Sequence, residues 1–306
     1  MDERALRYFL AVVRQGSIRG AAGVLNVAAS AISRQVADLE ARCGLPLLER
    51  LPRGVVPTEA GKAVADHALQ RAEDTRQLED HLQQLRGLRQ GAVRICCGEG
   101  FVGDLLENGL PGFAALYPQI RTRLELAGTQ GVQASVGRGE ADVGLAYNPV
   151  AETALRSVAV ARQPLHLVMA PGHPLRDRKR IGLKSLAREA VALLSEGHGV
   201  RLLLQRVEAD QRFHLVPVLE TSSIDVLRRH AMAGQSITFL PAFAVAPEVK
   251  AGLLILRPLT DALLVEASAH ILVRSRRRLP VPVERLLGIL AEGMEAFRAS
   301  PPVAEA

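Results

Sequence analysis

Apolar residues recur at helical spacing through the first part of this 306-residue chain. Leu6, Phe9, Leu10 and Val13 predict a helix from about Asp2 to Arg14, closed by Gly16. Ile18, Ala21, Ala22 and Leu25 share one face of a second helix capped by Ser17. After the Asn26-Val27-Ala28 turn, Ile32, Val36 and Leu39 share one face of a third, which Gly44 ends. Leu47 to Arg50 and Val55 to Val56 predict two short strands around the turn Leu51-Pro52-Arg53-Gly54, with Pro and Gly where a tight turn favours them. Thr58 then caps a long helix reaching about Arg86. In it Val64, Ala68, Arg71, Thr75, Leu78, Leu82 and Leu85 keep a 4-3-4-3-4-3 spacing, a coiled-coil seam that asks for a partner helix.

Beyond a hinge at Gly87 to Gly91 the pattern becomes strand then helix, repeated. Strands are predicted at Ala92 to Cys97, Ile120 to Leu126, Ala141 to Ala146, Leu165 to Met169, Val191 to Leu194, Leu215 to Glu220, Ser236 to Leu240 and Ala267 to Val273. Helices are predicted at Asp104 to Leu116 (disturbed near Pro111), Gln130 to Arg138, Leu183 to Arg188, Val200 to Ala209, Ser223 to Ala233 and Val281 to Phe297. This alternation predicts α/β architecture with a mostly parallel sheet.

Composition narrows the class. Hydrophobic residues make up 48% of the chain, enough for sizeable cores, and the net charge is +6, which favours an anionic partner. Residues 1–62 hold nine Lys plus Arg against six Asp plus Glu, a difference of +3, so affinity for an anionic partner there would depend on placement and on dimer formation. Cys43, Cys96 and Cys97 form no disulfide framework, and the neighbours Cys96 and Cys97 read as buried small hydrophobes in a strand. The start Met-Asp-Glu-Arg is not a signal peptide, and no apolar run approaches the roughly 20 residues of a membrane span, so a cytoplasmic protein without membrane contact is expected. The histidines lack metal-ligand spacing, and Gly98-Glu99-Gly100 lacks the third glycine and the acid of a dinucleotide fingerprint, so no metal and no cofactor are expected. Ser195, Glu196 and His198 bring together catalytic residue types without a partner Asp motif, so enzyme activity is not expected.

The third helix carries the most informative chemistry. Opposite its apolar stripe lie Ser30, Arg34, Ala37 and Ala41, with Ser33 on the flank. That face is small and polar with one cation, suited to entering a major groove. The hairpin after it carries Arg50 and Arg53, placed to meet phosphates or a minor groove. Together these are a helix-turn-helix with a wing.

In order and spacing, residues 1–61 resemble the winged helix-turn-helix of the LysR-type transcriptional regulators. The matching pieces are Leu6 to Val13, Gly16-Ser17-Ile18, Ala21 to Leu25, Ser30 to Glu40, Gly44 to Arg50 and Thr58-Glu59-Ala60-Gly61, and length and later segments extend the likeness over essentially the whole chain. This chain departs from the family by having Ala29 in place of Gln, Leu48 in place of Phe and Pro57 in place of Leu. The resemblance implies an α/β protein with an N-terminal winged helix-turn-helix (1–58), a linker and dimerisation helix (59–89) and a two-lobed periplasmic-binding-protein-like α/β effector domain (90–306). Lobe one would hold 90–162 and 267–300, and lobe two 163–266, with crossovers near Val160 to Gln163 and Leu264 to Ser268.

It further implies a homodimer or homotetramer through the linker helix, double-stranded DNA bearing an interrupted palindrome, a small-molecule effector and contact with RNA polymerase. Ligands of open α/β sheets lie beyond the carboxyl ends of the strands. Those ends supply Gly100, Phe101, Thr129, Tyr147, Asn148, His198 and Thr221 as candidate effector contacts, several beside helix N-termini that favour an anionic group. Thr129 and Thr221 fall where the family places effector-contacting Ser or Thr, whereas Glu99 and Gly100 depart from its small polar residues. The alternatives from other classes are a small-molecule binding protein with no DNA role and an enzyme on the same two-lobed fold.

Overall fold

A computed structural model describes residues 2–52, 54–85, 92–275 and 279–298. The chain divides into two compact units, Met1–Arg89 and Gln90–Ala306. The expected hinge at Gly87 to Gly91 lies outside the described residues, as does Arg53.

The first unit opens with α1 (Glu3–Gln15), where the Asp2 side chain accepts from the Arg4 N–H and Gly16 ends the helix at φ 58°. Its buried face is wider than the apolar spacing predicts. Ala5, Tyr8 and Val12 are buried with Leu6, Phe9 and Leu10, and Val13 is only half-buried, because α1 is packed by α2 (Ile18–Leu25), α3 (Ala29–Cys43) and α4 (Glu59–Leu85) rather than by one neighbour. Ser17 caps α2, accepting from the Gly20 N–H at 3.2 Å. Ile32, Val36 and Leu39 of α3 face this core.

Strands β1 (Leu48–Leu51) and β2 (Gly54–Pro57) pair antiparallel, Leu48 opposite Pro57. The pairing starts one residue later than the apolar pattern predicts. Leu47 is fully buried, and its backbone is taken elsewhere: Leu47 N–H donates to Glu40 Oε1 at 2.8 Å and Thr58 N–H donates to the Leu47 carbonyl at 3.0 Å. Gly54 sits at φ 106° against the Gly16 carbonyl, which accepts from the Val55 N–H at 2.9 Å. A side chain at residue 54 would have no room. Thr58 Oγ1 accepts from the Gly61 N–H at 3.0 Å and starts α4. Of the expected coiled-coil seam, Leu78 is exposed, while the side chains of Leu82 and Leu85 lie outside the described residues.

The second unit is built on two sheets of the same design. The first has the order β4-β3-β5-β12-β6, from β3 (Ala92–Cys97), β4 (Arg121–Leu126), β5 (Val143–Tyr147), β6 (Leu155–Arg162) and β12 (Ser268–Arg274). Here β3 runs parallel to β4 and β5, and β12 runs antiparallel to β5 and β6. The second uses β7 (Leu165–Met169), β8 (Val191–Leu194), β9 (Pro217–Thr221), β10 (Thr238–Pro241) and β11 (Ile255–Pro258). A parallel bridge between Val191 and Ile237 joins the β8-β9 pair to β10-β7-β11, giving the order β9-β8-β10-β7-β11 with the same pattern of directions. The sheets are therefore mixed rather than mostly parallel.

Two strands escape the sequence pattern, β6 and β11. β6 is an edge strand with Val158 and Val160 exposed, and partial burial blurs the alternation that marks a strand. Leu183 to Arg188 forms a 3-10 turn, Leu183–Leu186, instead of a helix. The disturbance foreseen at Pro111 is a widened π turn, Leu105–Gly109, just before Leu110–Leu116, which accommodates a proline that cannot donate to the preceding turn.

The chain crosses between the sheets twice. Gln163 N–H donates to the Ala267 carbonyl at 2.8 Å, so the two crossings are tied together. The C-terminal turn braces them: Gln163 Nε2 donates to the Ala296 carbonyl at 3.0 Å, and the Asp104 carboxylate accepts from the Glu295 and Ala296 N–H groups at 2.9 and 2.8 Å. Central strands β5 and β7 are buried along their whole length.

Candidate nucleic-acid interface and effector cleft

In the first unit, α3 turns Ile32, Val36 and Leu39 inward, and the helical period then fixes what faces outward. Ser30, Arg34, Ala37 and Ala41 are exposed and Ser33 is half-buried on the flank. Ala28 at the N-cap offers no side-chain acceptor, so the first turn of α3 is not capped by its own sequence. Arg50 is exposed on β1. Arg53, at the tip of the same hairpin, lies outside the described residues.

The hairpin is held to α3 by a residue to which the sequence reading gave no role. Glu40, near the end of α3, accepts from both the Leu47 and Leu48 N–H groups through one oxygen, at 2.8 and 3.1 Å. That carboxylate sets where the wing leaves the recognition helix. Its signal in sequence is an acid on a helix seven residues before a buried leucine, too common to be read without the structure.

In the second unit the loops at the carboxyl ends of both sheets meet directly. Thr129 is buried; its hydroxyl donates to the Tyr147 carbonyl at 3.1 Å and accepts from the Gly199 N–H at 2.9 Å. Gln130 N–H donates to the Gly197 carbonyl at 3.1 Å. At Gly199 any Cβ would collide with the Tyr147 carbonyl, so a glycine is required for this approach. The Phe101 ring is in the core, with its centroid 4.8 Å from Phe243 and 6.2 Å from Phe297. Tyr147 is buried and its hydroxyl donates to the Gln163 carbonyl at 2.7 Å; burial holds that phenol well above its usual pKa.

The remaining candidates rim the closed contact. Asn148 takes the left-handed conformation at φ 48°, and its N–H donates to the Ser268 carbonyl at 2.7 Å. His198 precedes the Gly199–Gln211 helix, its Nδ1 3.0 Å from the Ser195 carbonyl. Thr221 Oγ1 accepts from the Ser223 N–H at 3.1 Å. Gly100 packs against Ile224 and Ala244. Thr129, Tyr147 and the His198–Gly199 turn are thus brought together at one contact, and Gly100 with the Thr221–Ser223 turn at another. A groove of about 710 Å³ runs beside the second contact, lined by Glu99, Gly100, Glu107, Phe243, Arg228 and Lys250 among others.

A helix-turn-helix whose third helix turns a small polar face outward beside a winged hairpin, carried with a two-sheet ligand-binding architecture, defines a ligand-responsive DNA-binding regulator. The comparisons agree. Residues 4–62 match the family model for bacterial regulatory helix-turn-helix proteins of the lysR family, and residues 86–295 match the LysR substrate binding domain. The chain belongs to the LysR family of transcriptional regulators.

It is 29% identical over 252 residues to the HTH-type transcriptional regulator CfxR of Cupriavidus necator, covering 81% of this chain and 78% of that protein. Its fold is similar to a full-length OxyR variant from Pseudomonas aeruginosa (TM-score 0.65, 20% identity, 99% of each chain covered). It is also similar to the regulatory domain of CcmR from Synechocystis in complex with 2-PG (TM-score 0.58, 20% identity, 66% of this chain and 96% of that one). The protein is a DNA-binding regulator with an effector-binding domain, and the reading as a small-molecule binder without a DNA role falls, because residues 4–62 match the DNA-binding family model. The relatives are transcriptional regulators rather than enzymes. Among the described residues no helix is long and apolar enough to cross a membrane.

Proposed function

We propose that a dimer of this chain reads an interrupted palindrome, with Ser30, Ser33 and Arg34 in the major groove and Arg50 and Arg53 at the backbone or minor groove. The observation that carries this reading is the exposed face of α3, where Arg34 stands among small residues that let the helix approach base edges. The functional division is 1–58 for DNA, 59–89 for dimerisation and 90–306 for the effector. Dimerisation through α4 is supported by Leu78, which is 58% exposed on a 27-residue helix. The effector binds where the two sheets' loops meet, with contacts drawn from Gly100, Phe101, Thr129, Tyr147, Asn148, His198 and Thr221. Its binding changes the angle between lobes and so DNA bending and access for RNA polymerase. The protein works in the cytoplasm and turns nothing over.

The test is selection of bound genomic fragments by the purified protein at stated salt, followed by Arg34→Ala on the enriched site. A lost base-edge contact of about 1–3 kcal/mol lowers affinity about 5- to 150-fold. Unchanged affinity in a folded variant removes Arg34 from the interface.

A further inference from the structure

We propose that Glu99 is a built-in carboxylate latch that holds the two lobes closed without an effector. This rests on the reading that the effector acts at the junction of the lobes. Glu99 follows β3 of the first sheet, and its carboxylate crosses to the start of the Ile224–Met232 helix beside the second. One oxygen accepts from Ser223 Oγ at 3.0 Å and from the Asp225 N–H at 3.2 Å; the other accepts from the Ile224 N–H at 2.5 Å. A helix of this length presents unpaired N–H groups and a partial positive charge at its first turn, and a carboxylate is the side chain that satisfies both. Ser223, the helix's own cap, donates its hydroxyl proton to Glu99 while accepting from the Val226 N–H at 3.4 Å. The cap and the latch therefore form one network.

Of the two points where the loops of the lobes meet, this is the charged one. The second meeting point, Thr129 with Gly199 and Gln130 with Gly197, is made of neutral groups. At the first, a Cβ on Gly100 would stand 3.1 Å from Ile224 Cδ1 and 3.2 Å from Ala244 Cβ, so Glu99 reaches its donors only while the lobes are pressed together. Glu99 is half-buried and lines the groove of about 710 Å³ with Arg228 and Lys250, so the latch adjoins space that a small molecule can enter. The helix's own carboxylate, Asp225, is turned to Arg228 and Arg229, leaving Glu99 as the acceptor from the Ile224 and Asp225 N–H groups. An effector that opens the lobes must give up or replace these three bonds.

The test is amide hydrogen exchange of the full-length protein, effector-free and DNA-free, with Glu99→Ala and Glu99→Gln. In Glu99→Ala, exchange at Ile224 and Asp225 is expected to rise about tenfold or more, since hydrogen bonds to a charged group are the strong ones. Exchange at the core strand residues Leu167 and Phe239 is expected to stay unchanged, and added acetate to restore protection at Ile224 and Asp225. Glu99→Gln, which keeps the shape and loses the charge, is expected to fall between. Unchanged protection at Ile224 and Asp225 in Glu99→Ala overturns the proposal. If Glu99→Ala also loosens Leu167 and Phe239, the variant has lost its fold and Glu99→Gln decides: full protection there overturns the latch, and selective loss at the helix start supports it. Because neither arm uses an effector, a failure to find any molecule that alters DNA binding would sink the effector reading without touching this result.

Discussion

Gly61→Ala puts a methyl group onto the carbonyl of Leu47. The added Cβ would stand 3.0 Å from the Leu47 carbonyl carbon, on its oxygen side, and 3.2 Å from Pro57 Cβ. Both are backbone or ring positions, so relief requires the wing to retreat by about 1 Å to reach ordinary contact. That movement weakens two hydrogen bonds, Thr58 N–H to the Leu47 carbonyl at 3.0 Å and Thr58 Oγ1 to the Pro46 carbonyl at 2.8 Å, at about 1 kcal/mol each. It also disturbs Leu47, which is fully buried, for a further ~1–2 kcal/mol. Alanine returns at most about 1 kcal/mol through helix propensity. The net loss is about 2–3 kcal/mol, a large share of what a unit of this size holds. Amide exchange of Phe9 and Leu39 in the full-length protein should quicken by about 30- to 150-fold. Gly23→Ala is the control: nothing lies within 4 Å of its added Cβ and it sits in α2, so it should slow exchange, by up to about 1 kcal/mol. Protection equal to or above wild type in Gly61→Ala would refute the steric argument.

Burial lowers the pKa of His166 and of His270 below the usual 6.5, so the folded chain keeps both neutral while the unfolded chain takes up protons. Stability is thus full above about pH 6.5 and falls as pH drops below it; denaturant midpoints measured across that range should show the fall, and a double His166→Gln, His270→Gln variant with the same slope would disprove the assignment. Burial first, and Cys96 beside it second, push the Cys97 thiol up to about 12; burial likewise raises Cys96, whereas Cys43 is only half-buried. Iodoacetamide near neutral pH should alkylate one thiol per native chain and three in denaturant, and rapid labelling of Cys96 or Cys97 in the native protein would contradict their burial.

The regular period of the sequence was enough for the DNA-binding unit. Ile32, Val36 and Leu39 bury one side of α3, and Ser30, Arg34, Ala37 and Ala41 then must face out, because a helix fixes both sides at once. The caps at Ser17 and Thr58 and the turns at Gly16 and Gly44 are equally local and equally legible. The interior strand Val191–Leu194 announces itself by an unbroken apolar run, whereas edge strands β6 and β11 do not, since β6 buries only Ala161 and β11 fully buries none of its four residues.

Tertiary structure alone decided the rest. That Glu40 would hold the wing, that Gly61 and Gly199 would each lie under a carbonyl, and that Glu99 would serve a helix start more than a hundred residues away depends on which segments meet. The sequence places a carboxylate, a glycine or a hydroxyl on its own element through short-range geometry. Which donor stands opposite is set by the packing of whole sheets, and no period along the chain encodes it.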